Sequence, residues 1–208
     1  IGALNSLSQS LIKLTAPGVP DVYQGNEIWD FSLVDPDNRR PVDFELRKEL
    51  LADLRQLDPA DVRTLLEDGA WQDGRPKLYL IWKALAMRRE SPDLFRDGDY
   101  AALQTSGEGS EHLVAFARRH GGEVAITLAP RLLAMMVEVE GPLLPAPESW
   151  EDTSILLPDG LAEVAYRNVL TGELVVAEER NGAMSLGVGS LLLNFPVALL
   201  KTGEKDSP

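Results

Sequence analysis

Cysteine is absent from the 208-residue chain, so disulfide frameworks and thiolate metal sites are excluded. Histidine is nearly absent. His112 and His120 are the only two; they flank a strand-like run without metal-ligand spacing and read as surface residues. Cations are scarce: 20 Lys and Arg against 33 Asp and Glu leave a net charge of −13. That argues against nucleic acid as a partner, because nothing offsets repulsion from phosphates. It fits a neutral ligand, although a general demand for solubility is the better explanation. Long apolar runs are missing too. The longest, Leu191 to Leu200, is interrupted by Asn194 and Pro196, and a bilayer span needs about 20 apolar residues. No membrane partner is expected. No internal repeat and no low-complexity segment occurs. No charged-then-apolar leader opens the chain, so cytoplasmic residence is the expectation. The first residue is Ile1, and the opening reads as mid-helix, so the sequence is expected to be the C-terminal part of a longer protein.

What is present fits a soluble globular chain, with 44% hydrophobic and 25% charged residues. Leu4, Leu7, Leu11 and Leu14 recur at helical spacing, which predicts an amphipathic helix ending before Pro17. Leu46, Leu50, Leu54 and Leu57 predict a second helix, with Asp43 as its N-cap. Asp58-Pro59 starts another, which Gly69 ends. Pro76 starts a further helix with Leu78, Ile81, Trp82 and Leu85 facing inward, Arg88 and Arg89 complementing its dipole, and Ser91-Pro92 stopping it.

From about residue 96 the pattern turns to strands. His112–Arg119 and Glu123–Leu128 flank Gly121-Gly122, a strong hairpin signal. Glu163–Leu170 and Glu173–Glu178 flank Thr171-Gly172, and Ala183–Val188 and Leu191–Leu200 add further strands. The prediction is an antiparallel, sandwich-like β domain. Gly141–Ser149 is proline-rich and reads as a loop. Trp71, Trp82 and Trp150 read as core, and Gly107 to Ser110 as a loop without the lysine of a phosphate-binding motif.

The densest stretch is Pro17 to Asp43, PGVPDVYQGNEIWDFSLVDPDNRRPVD. Four prolines leave little room for a helix. Val19–Tyr23 is predicted to be a short buried strand. After it comes a long polar, aromatic loop, the way an α/β enzyme presents functional groups. Asp35, Pro36, Asp37 and Asn38 begin like a calcium loop, but Arg39 and Arg40 stand where that motif wants a ligand and a glycine. The plain reading of Asp35–Arg40 is a turn.

Gly18, Pro20, Tyr23, Gly25 and Glu27 fill a pattern that resembles the eighth-strand motif of the α-amylase superfamily. The continuation WDFSLVDPDNRRPVDF, the segment SWEDTSILLPDG (Ser149–Gly160) and the ending NFPVALL (Asn194–Leu200) resemble the maltooligosyltrehalose synthases, a glucan-rearranging family within it. The resemblance implies an α+β piece in three parts. Residues 1–43 would be the last helix and strand of a (β/α)8 barrel with an active-site loop. Residues 44–95 would be a helical connector, and 96–208 a C-terminal antiparallel β domain. It implies a maltooligosaccharide or other α-1,4-glucan as substrate, the N-terminal part of the same chain as a partner, and no cofactor.

With the resemblance, a turn and a sugar site become compatible at Asp35–Arg40. Asp35, Asp37, Asn38, Arg39 and Arg40 are candidate sugar ligands, since carboxylates and guanidinium groups match hydroxyls as acceptors and donors. One arginine could instead pair structurally with Asp35 or Asp43. Tyr23 and Trp29 are candidate apolar walls of a sugar subsite, whereas Phe31 reads as core. Glu27 is expected to hydrogen-bond loop backbone. Catalysis by a retaining route would need a second carboxylate roughly 5–5.5 Å away, and the superfamily's catalytic carboxylates lie on earlier strands. Another superfamily hydrolase or transferase, or a noncatalytic glucan-binding or bracing module, stays open. Upstream sequence would separate the first, and a glucan-binding assay on residues 96–208 the second.

Overall fold

The computed structural model describes residues 1–33, 35–67, 69–137, 143–162, 165–180 and 182–202. Helix α1 (Gly2–Thr15) forms where the leucines recur, and Leu4, Leu7, Leu11 and Leu14 are all buried. A 3-10 turn occupies Asp37–Arg39. Helix α2 (Phe44–Leu54) starts at Asp43, whose Oδ1 accepts the Leu46 N–H at 2.9 Å. Asp58 caps the next segment as expected, but Pro59–Leu65 is a 3-10 helix and not an α-helix. Helix α3 (Arg75–Glu90) has Pro76 in its first turn, and α4 (Pro92–Arg96) follows directly.

The strands are β1 (Asp99–Ala102), β2 (Thr105–Ser106), β3 (Leu113–His120), β4 (Glu123–Pro130), β5 (Ser154–Leu156), β6 (Tyr166–Asn168), β7 (Leu174–Val175), β8 (Glu178–Arg180) and β9 (Ala183–Gly187). A short helix α5 (Val188–Leu191) precedes β10 (Ala198–Thr202). All pairings are antiparallel, in one sheet of order β1-β3-β4-β10-β6-β7 and another of order β2-β5-β9-β8. The β3–β4 hairpin closes at Gly121 and Gly122, with φ of 56° and 92°, the left-handed geometry that tight hairpins require.

Successive residues of the central strands face two different cores. Val124, Ile126 and Leu128 of β4, with Ala198 and Leu200 of β10, face a core shared with Ile155 and Leu186 of the smaller sheet. Ala125 and Ala129 of β4, with Leu199 of β10, face a second core formed with Leu7, Leu11 and Leu14 of α1 and Tyr79, Leu80 and Ala84 of α3. The large sheet is therefore covered on both faces, and the chain stacks helices, large sheet and small sheet in three layers. Double coverage explains why β4 reads as a nearly unbroken apolar run.

Two arginines tie α1 into this stack. Arg118 of β3 is 2% exposed. Its guanidinium donates to the carbonyls of Gly98 (2.8 Å), Phe95 (3.1 Å), Thr15 (3.3 Å) and Asp99 (3.3 Å). Arg88 of α3 donates to Leu14 O at 2.8 Å. Arg88 thus serves the C-terminal end of α1, where the helix dipole favours a cation, beyond its expected role on its own helix.

Several expectations are corrected. Val19–Tyr23 is not a strand: it pairs with no strand among the described residues, and Val19 is 98% exposed. A single β segment needs a neighbour to satisfy its backbone, and none lies beside it here. Phe31 is 87% exposed and not core, because no apolar group among the described residues covers it. Leu85 lies on the exposed side of α3, whose buried face is carried by Leu78, Tyr79, Leu80, Ile81, Ala84 and Met87. Leu191–Leu200 is strand only from Ala198; before that, α5 and a turn bury Leu192, Phe195 and Val197. The strand expected from Glu163 begins at Tyr166, and Glu163 itself lies outside the described residues.

Candidate functional site

The polar loop after α1 is organised by its own side chains. Glu27 does what its sequence context implies: its Oε2 accepts the Gly25 N–H at 3.0 Å. It also accepts from Arg47 Nε at 3.0 Å. Trp29 is half-buried, and its indole N–H donates to the Trp71 carbonyl at 2.6 Å. Lys77 of α3 donates to Ile28 O at 3.3 Å and lies 5.9 Å from the Trp29 ring centroid. This close docking needs Gly74. A Cβ there would meet the Ile28 Cβ at 2.6 Å and the Trp29 nitrogen at 2.9 Å, and φ is +84°. Burial, then repulsion from Lys13, pulls the Lys77 ammonium below its ordinary range.

The tip of the loop is a turn, as its composition predicts. Asp37 Oδ2 accepts the Leu33 N–H at 2.8 Å, and Asp37–Arg39 winds into the 3-10 turn. Arg39 pairs with Asp35, and Arg40 with Asp37. Both arginine side chains are exposed, at 72% and 79%. At the entrance, Asp30 Oδ1 accepts the Ser32 N–H at 2.9 Å. Donation from the Ser32 hydroxyl and backbone holds the Asp30 carboxyl below the usual carboxylate range.

A cavity of 150 Å³ sits inside this loop, lined by Trp29, Asp30, Asp37, Asn38, Arg40 and Arg47 among others. Of the sequence candidates it gathers Trp29, Asp37, Asn38 and Arg40. Asp35 and Arg39 pair with each other outside the lining, and Tyr23 is half-exposed and also outside it. Sequence reasoning missed Arg47 and Lys77. Arg47 looked like one more charge on a solvated helix face, and no local pattern shows that it meets residues 20 positions back. The lining offers acceptors, donors and one indole wall, a mixture suited to a polyhydroxylated ligand. Among the described residues, no three His, Asp or Glu side chains gather as a metal site, and no helix is long and apolar enough to cross a membrane.

No family model matches the chain. A putative maltooligosyl trehalose synthase of Mycobacterium tuberculosis is 36% identical over 168 residues, which is 81% of this chain and 17% of that protein. The solved maltooligosyltrehalose synthase of Arthrobacter ramosus superposes with a TM-score of 0.74 at 36% identity, over 97% of this chain and 22% of that one. An α-amylase of Anoxybacillus superposes with a TM-score of 0.59 at 16% identity, over 100% of this chain and 34% of that one, a likeness of fold alone. The chain spans only a minor part of the length of these proteins, and over that part it is similar in sequence and fold to the maltooligosyltrehalose synthases.

Proposed function

We propose that the chain is the C-terminal part of an enzyme that turns the reducing-end α-1,4 bond of a maltooligosaccharide into an α,α-1,1 bond. The observation that supports this reading is the 36% identity over 168 residues to a protein named for that product. The chemistry would be retaining. A carboxylate nucleophile forms a glycosyl-enzyme, and the released glucose turns and attacks through its anomeric hydroxyl before water does. In this reading the catalytic carboxylates stand elsewhere in the longer protein. The present chain alone should form no trehalose-ended product from maltopentaose, and product formed by the purified chain would defeat that.

The loop at 29–43 would help to retain the freed glucose. Arg39 and Arg40 are paired, yet a guanidinium carries five donors, so one carboxylate contact leaves others for sugar hydroxyls. Losing such a bond should cost roughly 0.5–1.5 kcal/mol, and up to about 3 where a charged group loses its partner. That is roughly a few-fold to a hundredfold in rate. In the full-length enzyme, Arg39→Ala and Arg40→Ala should release more free glucose per maltooligosyltrehalose formed. Because both guanidinium groups are exposed, stability should change by only about 0–1 kcal/mol. An unchanged product ratio in both variants, measured alongside the melting temperature, would overturn the role.

A further inference from the structure

Arg47 stands one turn into α2, where its charge has no obvious purpose. Its side chain is only 15% exposed. The guanidinium spends its donors on both ends of the polar loop at once. Nη2 donates to Gly25 O at 2.6 Å, Nε to Glu27 Oε2 at 3.0 Å, and Nη1 to Asp43 O at 2.9 Å. Glu27 completes the ring by accepting from the Gly25 N–H. The entry of the loop at Gly25 and its exit at Asp43 are therefore fastened to one planar group. A planar fork is suited to this, since its donors are fixed relative to one another. Val42, beside the exit, lies 3.2 Å from where a Gly25 Cβ would stand, so the two ends are also packed together.

We propose that Arg47 is a positioning residue, whose clasp sets the geometry of the loop that holds the sugar. This rests on the reading that the loop retains glucose. Between its fastened ends the loop hangs on two further points, the Trp71 carbonyl holding Trp29 and Lys77 holding Ile28. With both ends fixed, Asp37, Asn38 and Arg40 keep their places around the cavity. With the clasp open, Gly25 and Asp43 can separate and the loop samples wider arrangements. A misplacement of about 1 Å is enough to cost roughly a hundredfold in a positioned reaction.

The test uses the full-length enzyme and three variants: Arg47→Met, Arg47→Lys and Glu27→Gln. Amide hydrogen exchange is followed in residues 24–43 and, as an internal reference, in the β3–β4 hairpin. Arg47→Met should quicken exchange in the loop by at least about tenfold, the loss expected when charge-assisted bonds go. The hairpin should keep its rate, and the glucose-to-product ratio should rise several-fold. Arg47→Lys, with one nitrogen in place of the fork, should recover only part of both. Glu27→Gln should show a smaller change in the same direction, and it stands in if Arg47→Met does not fold. Unchanged loop exchange overturns the proposal. Quicker exchange with an unchanged product ratio also overturns it, if Arg39→Ala does raise the ratio; Arg47 is then only a structural tie. If Arg39, Arg40 and Arg47 variants all leave the ratio unchanged, the glucose-retention reading fails, and quicker exchange still supports the clasp by itself.

Discussion

At the scale of single residues, Arg118 shows how a charge can be buried without a carboxylate. Its guanidinium is surrounded by four carbonyls. Two of them, Thr15 and Phe95, lie at the C-terminal ends of α1 and α4, where unpaired carbonyls concentrate partial negative charge. Desolvation lowers the Arg118 pKa, but arginine stays charged at any pH of interest. Arg118→Met keeps most of the volume and removes every donor. It should destabilise the chain by about 3 kcal/mol, since several buried carbonyls lose a charged partner while the desolvation cost of the cation disappears. Arg118→Lys keeps the charge but has one nitrogen for four acceptors, so it should recover only part of the loss. Urea unfolding monitored by circular dichroism measures both, and wild-type stability in Arg118→Met would refute the account. The sequence gives no hint of this role. Arg118 and Arg119 are neighbours on a strand, and only the packing of two helix ends against one face of β3 makes the first buried and the second exposed.

At the scale of elements, regular pieces were legible where one local rule decided them. The leucine spacing of α1, the Asp43 cap of α2 and the Gly-Gly turn of the β3–β4 hairpin each follow from a rule that acts within a few residues. The misreadings have a common cause. Val19–Tyr23 and Phe31 are apolar by composition, but among the described residues the first pairs with no strand and touches the core only through Val22, and Phe31 stays 87% exposed. Pro59–Leu65 has its expected N-cap, Asp58, but the segment is too short to settle its pitch and ends at Leu66, before Gly69. The candidate site divides in the same way. The Asp37–Arg39 turn and the Glu27 bond to Gly25 were readable, being local. The contacts of Trp29 with Trp71 and of Arg47 with Gly25 were not, because they join residues brought together only by the fold. The loop also carries a pH dependence. The Asp30 pKa is lowered in the folded chain by Ser32. Its contribution is therefore present above the unfolded carboxylate range near 4, and it is lost as pH falls through the lower folded value. Exchange at the Ser32 amide, corrected for intrinsic rate, should become less protected on acidification. Asp30→Asn should weaken that dependence. Equal protection across the carboxylate range would count against it.

At the scale of the whole molecule, the division proposed at residues 43 and 95 separates segments that share a core. The strands from about 96 onward pack around a core between the two sheets, to which α1 adds Leu4. The other face of the large sheet belongs to the helices. Ala125, Ala129, Leu170, Phe195, Val197 and Leu199 are at most 1% exposed, and all pack in the core with α1 and α3. Residues 96–208 made alone would expose that face, and Arg118 would lose the Thr15 and Phe95 carbonyls. Each large apolar side chain returned to water costs roughly 1.5–3 kcal/mol, partly offset because an isolated piece can rearrange to cover some of it. The inter-sheet core remains, so the piece should keep its β signal and melt cooperatively. It should do so at a lower temperature than the whole chain, and it should bind a dye such as ANS that reports exposed apolar surface. Adding residues 1–95 as a separate piece should suppress dye binding if the helices re-form on the sheet. Thermal melting and dye fluorescence of the two preparations decide the matter. An unchanged melting temperature without dye binding would mean that the helical layer contributes little, and that the division at 95 marks two energetically independent units.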